Sequence, residues 1–295
     1  MMMSKIIVIV GPTGVGKTAL SIHLAHKYNA DIINADSTGV YKDALIATAK
    51  VTESEKQGVK HHMLDLVSLD DEYTLYDFQT QGRKVLNDLI NQNKNIIIVG
   101  GSGLYIKALL YDYKLDKTDN VRIDYSNYTN QELKEMADKI NKDNNIHQNN
   151  RQRLERYITY YKQTGKTITK TDSINKKLYN FEVIGLKSDR ETLYKRMNDR
   201  VDTMIKNGLI DEAMALKNKK YFDNIIGYKE LNQYFKGLIS LDEAVELIRQ
   251  NTRRYSKRQF TWFNNQMKDI KWFDVNYNDF NKTISEIDDY LSKNN

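Results

Sequence analysis

Residues 5–18, Lys5-Ile-Ile-Val-Ile-Val-Gly-Pro-Thr-Gly-Val-Gly-Lys-Thr18, constrain what this chain can fold into more than any other stretch. A β-branched apolar run ends in Gly11-x-x-x-x-Gly16-Lys17-Thr18, the complete phosphate-loop pattern, and a helical pattern follows it. The loop glycines let successive backbone N–H groups turn into one concavity, and the next helix adds its positive end. Lys17 supplies a mobile cation, and the Thr18 hydroxyl is placed to hold Mg²⁺. Gly11, Pro12, Thr13, Gly14, Val15, Gly16, Lys17 and Thr18 are therefore the candidate diphosphate- or nucleotide-binding residues. The loop alone does not distinguish a diphosphate that is a substrate from one that is an energy source.

The 295 residues suffice for one large domain, or a domain plus an insertion. A hydrophobic content of 40% suits a globular protein, and no apolar run is long enough for a membrane span. Cysteine is absent, which excludes disulfides and cysteine-based zinc sites. With the first strand starting at Lys5, no signal peptide is expected, and the reading is a cytoplasmic monomer.

Apolar strands alternate with helical patterns along most of the chain. Strands are expected at Lys5–Val10, Asp31–Ala35, Asn95–Gly100 and Phe181–Leu186. Helices are expected at Thr18–Tyr28, Tyr76–Asn91, Ser102–Tyr111, Arg190 to about Lys219, and Leu241–Gln266. This alternation predicts an α/β fold: a P-loop NTPase-like, doubly wound parallel sheet, with ligands beyond the carboxyl ends of the strands. Polar residues 112–150 break the rhythm, with one short helix at Gln131–Ile140. The expected organisation is a catalytic core over 1–112, a small helical insertion or lid over 113–150, and core completion with a helical C-terminal region over 151–295.

The last long helix carries Arg249, Arg253 and Lys257 at intervals of four, with Arg254 and Arg258 beside them. Five like charges without an anionic partner repel one another, and Tyr255, Phe260, Trp262 and Phe263 are interleaved. Basic and aromatic residues together suit a nucleic-acid backbone, consistent with a net charge of +6. Trp262 and Phe263 read as core anchors. Two strand ends also offer chemistry. Asp36-Ser37 lies just past the second strand, where a carboxylate serves as general base or as a cap. Gly100-Gly101-Ser102-Gly103 follows the third, with Ser102 placed to cap the next helix or to bond a phosphate oxygen. No Asp closes that strand, unlike a typical NTPase.

An ordered series of segments resembles the tRNA dimethylallyltransferases over nearly the whole chain. It comprises Gly11-Pro-Thr-Gly-Val-Gly-Lys-Thr18, Asp36-Ser-Thr-Gly-Val-Tyr-Lys42 with Thr48-Ala-Lys50, and His61-His-Met-Leu-Asp65. Gly100-Gly-Ser-Gly-Leu-Tyr105, Gln152-Arg-Leu-Glu-Arg156, Ile226-Gly-Tyr-Lys-Glu230 and Thr252-Arg-Arg-Tyr-Ser-Lys-Arg-Gln259 complete it. The sequence departs from the family pattern at Gly39, Asp43, Ala47 and Val51.

The resemblance implies transfer of a dimethylallyl group from dimethylallyl diphosphate to N6 of adenosine 37 in tRNA, with Mg²⁺ as cofactor. It implies Asp36 as general base, and Lys17, Ser102 and Arg200 acting on the departing diphosphate. It also implies that the anticodon stem-loop meets Asp36, Ser37, Thr38, Gly39, Ser102, Arg122, Gln152, Arg153, Leu154, Glu155, Arg156, Gly227, Tyr228 and Lys229. The His61–His62 pair is implied to be a structural turn without metal. The alternative on the same loop is a small-molecule kinase using ATP, for which the basic C-terminal helix has no use. A GTPase-like RNA-binding switch would want Asn-Lys-x-Asp at a strand end, and no such sequence occurs in strand context.

Overall fold

The strands at 6–10 and 95–99 are almost unbroken β-branched runs because both of their sides are buried. The computed structural model describes residues 4–115, 123–167 and 176–293, so Arg122 lies outside the described residues. Its core is one six-stranded sheet, all parallel. The strands are β1 (Ile6–Val10), β2 (Ala30–Asn34), β3 (His61–His62), β4 (Asn95–Val99), β5 (Glu182–Lys187) and β6 (Lys271–Asp274), in the order β3-β2-β4-β1-β5-β6. In the central pairings Val8 lies opposite Ile98 on one side and Val183 on the other. The two-residue period of a strand then sorts the side chains. Ile6, Val8 and Val10 enter one core with α3 (Leu75–Asn91), α4 (Gly103–Leu110) and α10 (Leu241–Gln266), through Phe78, Leu109 and Phe263. Ile7 and Ile9 enter the opposite core with α1 (Lys17–Tyr28), α7 (Arg190–Lys206) and α11 (Phe280–Lys293), through Leu24, Met197 and Ile287. Burying each such side chain is worth roughly 1.5–3 kcal/mol.

Three elements depart from the expectation. The helix from Arg190 divides into α7 and α8 (Leu209–Leu216), because the chain turns at Gly208, whose φ of 96° is left-handed. His61 and His62 are not a turn: they form the edge strand β3 beside β2. The sheet also gains β6, beside β5, where no strand was expected. After α8, α9 (Tyr228–Phe235) packs with the start of α10 and the segment around Val40 in a third core that includes Leu209, Tyr228 and Ile248.

The inserted unit is longer than 113–150. It spans Asp112–Lys176 as a separate compact unit, while Met1–Tyr111 and Lys177–Asn295 form the other. The reason is the apolar face of α6 (Arg151–Thr164). Leu154, Tyr157 and Ile158 recur at helical spacing and close on Leu133 and Ala137 of α5 (Asn130–Ile140), with Tyr125, in a core of their own. Arg151 ties the unit further, donating to the carbonyls of Tyr125 (2.6 Å) and Tyr128 (2.8 Å).

Candidate active site

β1 delivers the chain to Gly11, and α1 begins at Lys17 directly after the loop. Gly16 precedes α1 with φ 106°, and no side chain caps the helix, so its first amides remain available to an anion. The Phe280 ring lies 3.0 Å from where a Gly16 Cβ would stand, so a larger residue there meets both strain and crowding. Lys17 folds back over its own loop: Nζ donates to the Gly11 carbonyl (2.9 Å) and the Pro12 carbonyl (2.8 Å). Burial lowers the Lys17 ammonium to about 8, against a raising effect of Asp36 and with a further lowering by Arg200.

Arg200 reaches the same loop from α7. Its Nη1 donates to Thr13 Oγ1 and its Nη2 to the Ala49 carbonyl, each at 3.4 Å. Burial lowers its pKa as well, opposed by Asp36 and Glu55. Arg196, one helical turn earlier, donates to the Gly14 carbonyl (3.4 Å) and stacks on the Tyr277 ring 4.0 Å away. A cavity of about 950 Å³ is lined by Lys17, Thr18, Asp36, Lys50, Arg196 and Arg200, among others. Two cations whose ammonium and guanidinium are both held below their ordinary range share this cavity, which is the electrostatic state an anion would relieve.

Across from the loop, the ends of β2 and β4 are laced together. Asp36 Oδ1 accepts from the backbone N–H (3.1 Å) and hydroxyl (2.9 Å) of Thr38, so the carboxylate caps a tight turn, while Oδ2 bears no hydrogen bond among the described residues. Ser102 does not cap α4 with its side chain. Its Oγ accepts from Ser37 N–H (3.0 Å) and donates to Ser37 Oγ (3.2 Å), joining the two strand ends. Gly39 is buried, with the Asn34 side chain 2.7 Å from where a Cβ would be.

Two residues of α10 lie behind this wall: Gln259, which carried no expected role, and Tyr255, grouped in the sequence with the aromatics suited to nucleic acid. Gln259 is buried, accepts from the Thr13 N–H through Oε1 (2.9 Å) and donates through Nε2 to the Gly101 carbonyl (3.1 Å). Tyr255, one turn earlier, is pushed up to about 12 by burial and then by the charge of Asp36. The phenol therefore stays neutral and able to donate beside the carboxylate. The signal in the sequence was Gln259 on the buried stripe of a basic helix, with the half-buried Tyr255 one turn earlier, where polar side chains need a reason.

The positions implied to meet tRNA divide by burial. Gln152, Arg153, Arg156 and Lys229 are exposed. Leu154 is fully buried in the inserted unit's core, and Glu155 pairs with Arg151 at 2.7 Å. Gly227 and Tyr228 are buried too, with the Tyr228 ring stacked on Phe222 at 4.8 Å, so neither offers a side chain at the surface. The basic stripe is also narrower than its spacing suggested. Arg249 pairs with Asp202 and Glu246, and Arg253 with Glu246 (3.0 Å) and Asn198 (2.8 Å). Arg254, Lys257 and Arg258 remain exposed. His62 binds Asp31 (2.8 Å), which also holds Lys94 (2.8 Å). No group of three or more His, Asp or Glu side chains converges on a metal position among the described residues.

A family model described as IPP transferase matches residues 39–266. The tRNA dimethylallyltransferase of Anoxybacillus flavithermus is 42% identical, over 97% of this chain and 96% of its own. That of Bacillus subtilis is 41% identical over 92% of this chain and 90% of its own. This chain belongs to the tRNA dimethylallyltransferase family. It is accordingly an enzyme, a transferase that modifies tRNA with a prenyl group. The fold agrees with that of other tRNA dimethylallyltransferases. The tRNA isopentenylpyrophosphate transferase of Bacillus halodurans superposes with a TM-score of 0.74 at 34% identity, covering 98% of this chain and 96% of that one. A eukaryotic dimethylallyltransferase acting on tRNA superposes with a TM-score of 0.80 at 27% identity, covering 98% and 80%. Among the described residues of this family member, no helix is long and apolar enough to cross a membrane.

Proposed function

We propose that the enzyme, working as a cytoplasmic monomer, takes dimethylallyl diphosphate as donor and alkylates N6 of adenosine 37 in the anticodon stem-loop of tRNA. The observation that carries this reading is one cavity with a cationic diphosphate cradle, Lys17 of the phosphate loop and Arg200 reaching that loop from α7, and a carboxylate oxygen of Asp36 that bears no hydrogen bond among the described residues. The bond between the allylic carbon and the diphosphate oxygen breaks, and a bond from N6 to that carbon forms. Negative charge builds on the departing diphosphate, where the loop amides, Lys17 and Arg200 stabilise it. Arg200 can hold two phosphate oxygens at once. Asp36 orients the adenine amine and accepts its proton, which compensates for a poor nucleophile. The adenine leaves its stack to reach the carboxylate. Gln152, Arg153, Arg156 and Lys229 are the side chains of the implied set that can meet the anticodon arm.

The donor set at Thr18 fits Mg²⁺. Thr18 is exposed in the second position of α1 and lines the cavity, and a lone hydroxyl there would suit a hard cation that keeps most of its waters. When bound there, the ion would add charge neutralisation to the leaving group.

The test is incubation with labelled dimethylallyl diphosphate and unmodified tRNA, followed by nucleoside analysis, with ATP and small alcohols offered in parallel. Label in a prenylated adenosine is the expected result. Phosphorylation of an alcohol with the tRNA untouched would refute the proposal.

A further inference from the structure

We propose that Glu212, which lies outside the cavity, is a positioning residue for the donor diphosphate: it locks the 45–49 loop so that the Ala49 carbonyl holds Arg200 in place. The inference rests on the proposed diphosphate reading and extends it to a residue on α8.

Glu212 gathers three successive backbone N–H groups. Oε2 accepts from Leu45 (3.0 Å) and Ile46 (2.8 Å), and Oε1 accepts from Ala47 (3.0 Å). The Tyr228 hydroxyl donates to the same Oε1 at 2.6 Å. Successive amides that converge on one anion form a nest, and here the protein supplies the anion itself. The curl continues into the cavity wall. Ala49 N–H donates to the Ile46 carbonyl (3.0 Å), Lys50 N–H to the Leu45 carbonyl (3.2 Å), and Thr48 Oγ1 to the Ala44 carbonyl (2.9 Å). Ala49 takes φ 47°, a conformation an alanine keeps only when its surroundings hold it. The product of this curl is a carbonyl aimed at Arg200 Nη2.

Arg200 has two anchors, Thr13 Oγ1 on the phosphate loop and Ala49 O on this one. Thr48, Ala49, Lys50 and Val51 line the cavity, whereas Glu212 does not. Without the carboxylate, three amides lose their common acceptor, the loop relaxes, and Arg200 keeps one anchor of two. Orientation of the guanidinium is then lost before any phosphate arrives, and orientation governs how much a clamp contributes. Glu212 thus acts through another residue, not on the substrate.

The test is a double-mutant cycle on the full chain, with inorganic pyrophosphate titrated by calorimetry at fixed Mg²⁺. Glu212→Gln removes one of the two acceptor oxygens and the charge. It is expected to weaken pyrophosphate binding about tenfold in the wild-type background and less than twofold in the Arg200→Gln background, because residues in one network do not add. Equal tenfold losses in both backgrounds overturn this inference while leaving the diphosphate site intact. Wild-type affinity that does not depend on Arg200 at all sinks the diphosphate reading, and this inference with it. A second measurement covers a variant that fails to fold. In wild-type protein, saturating pyrophosphate should slow hydrogen exchange at the Leu45, Ile46 and Ala47 amides, since coupling is reciprocal. Unchanged protection there also overturns the inference.

Discussion

The two walls of the cavity are built in opposite ways. The phosphate loop is local. Eight consecutive residues, Gly11 to Thr18, present a ring of amides and a lysine between one strand and one helix. The facing wall is assembled from distant segments: Asp36 after β2, Ala49 on a loop and Arg200 on α7 line it, with Ser102 before α4 and Gln259 on α10 bonded behind it. Two side chains span the walls. Gln259 bridges Thr13 to Gly101, and Arg200 bridges Thr13 to Ala49. A local wall holds its shape through its own backbone, whereas an assembled wall depends on packing far from the chemistry. The first should tolerate remote substitutions that the second does not.

The largest expected effect separates chemistry from binding. Asp36→Asn should slow transfer about a thousandfold, the middle of the range for a positioned general base, while pyrophosphate affinity stays within threefold. Single-turnover rates and calorimetry read the two quantities, and a parallel fall in both would show that the walls are not separable.

Next come the cations of the two walls. Lys17→Met and Arg200→Gln should each weaken pyrophosphate binding about ten- to hundredfold, as expected for a charged hydrogen bond worth roughly 1.5–3 kcal/mol. The pH dependence sharpens the assignment. The folded Lys17 titrates at about 8, below its ordinary 10.5. Pyrophosphate affinity should therefore hold below pH 8 and fall above it, and Lys17→Met should abolish that fall. Stability runs the other way: between pH 8 and 10.5 the unfolded chain binds more protons at this lysine, so its contribution rises with pH. A titration in which wild type and Lys17→Met lose affinity alike above pH 8 would remove Lys17 from the site.

The bridge between the walls is the third target. Gln259→Ala leaves the Thr13 N–H and Gly101 carbonyl without their partner, at a cost of about 1–3 kcal/mol. Denaturant unfolding should show that loss, and an unchanged midpoint would mean the walls hold together without it.

The smallest effect concerns the exposed charges of α10. Neutralising Arg254, Lys257 and Arg258 together should reduce the salt dependence of tRNA binding by a slope of about 2–3, roughly one for each phosphate that no longer meets a cation. The Arg249→Gln and Arg253→Gln variants should leave that slope nearly unchanged, because carboxylates already neutralise those residues. Filter binding across a salt series distinguishes the two groups, and equal slopes would erase the division.

What the sequence alone determined is what depends on neighbours along the chain. The phosphate loop, the β-branched strands and the Leu241–Gln266 helix were legible because glycine spacing, two-residue alternation and 3.6-residue periodicity are local signals. Ordered motifs likewise marked Asp36 and Ser102. Tertiary structure decided the rest. It assigned α6 to the inserted unit through Leu154, Tyr157 and Ile158, buried Tyr228 that the motif had offered to tRNA, and paired two arginines of the basic stripe with Asp202 and Glu246. It also brought Gln259 to the phosphate loop and Glu212 to the amides of residues 45–47. A carboxylate that satisfies amides 165–167 residues away leaves no periodic trace, because its partners are backbone groups that every residue carries.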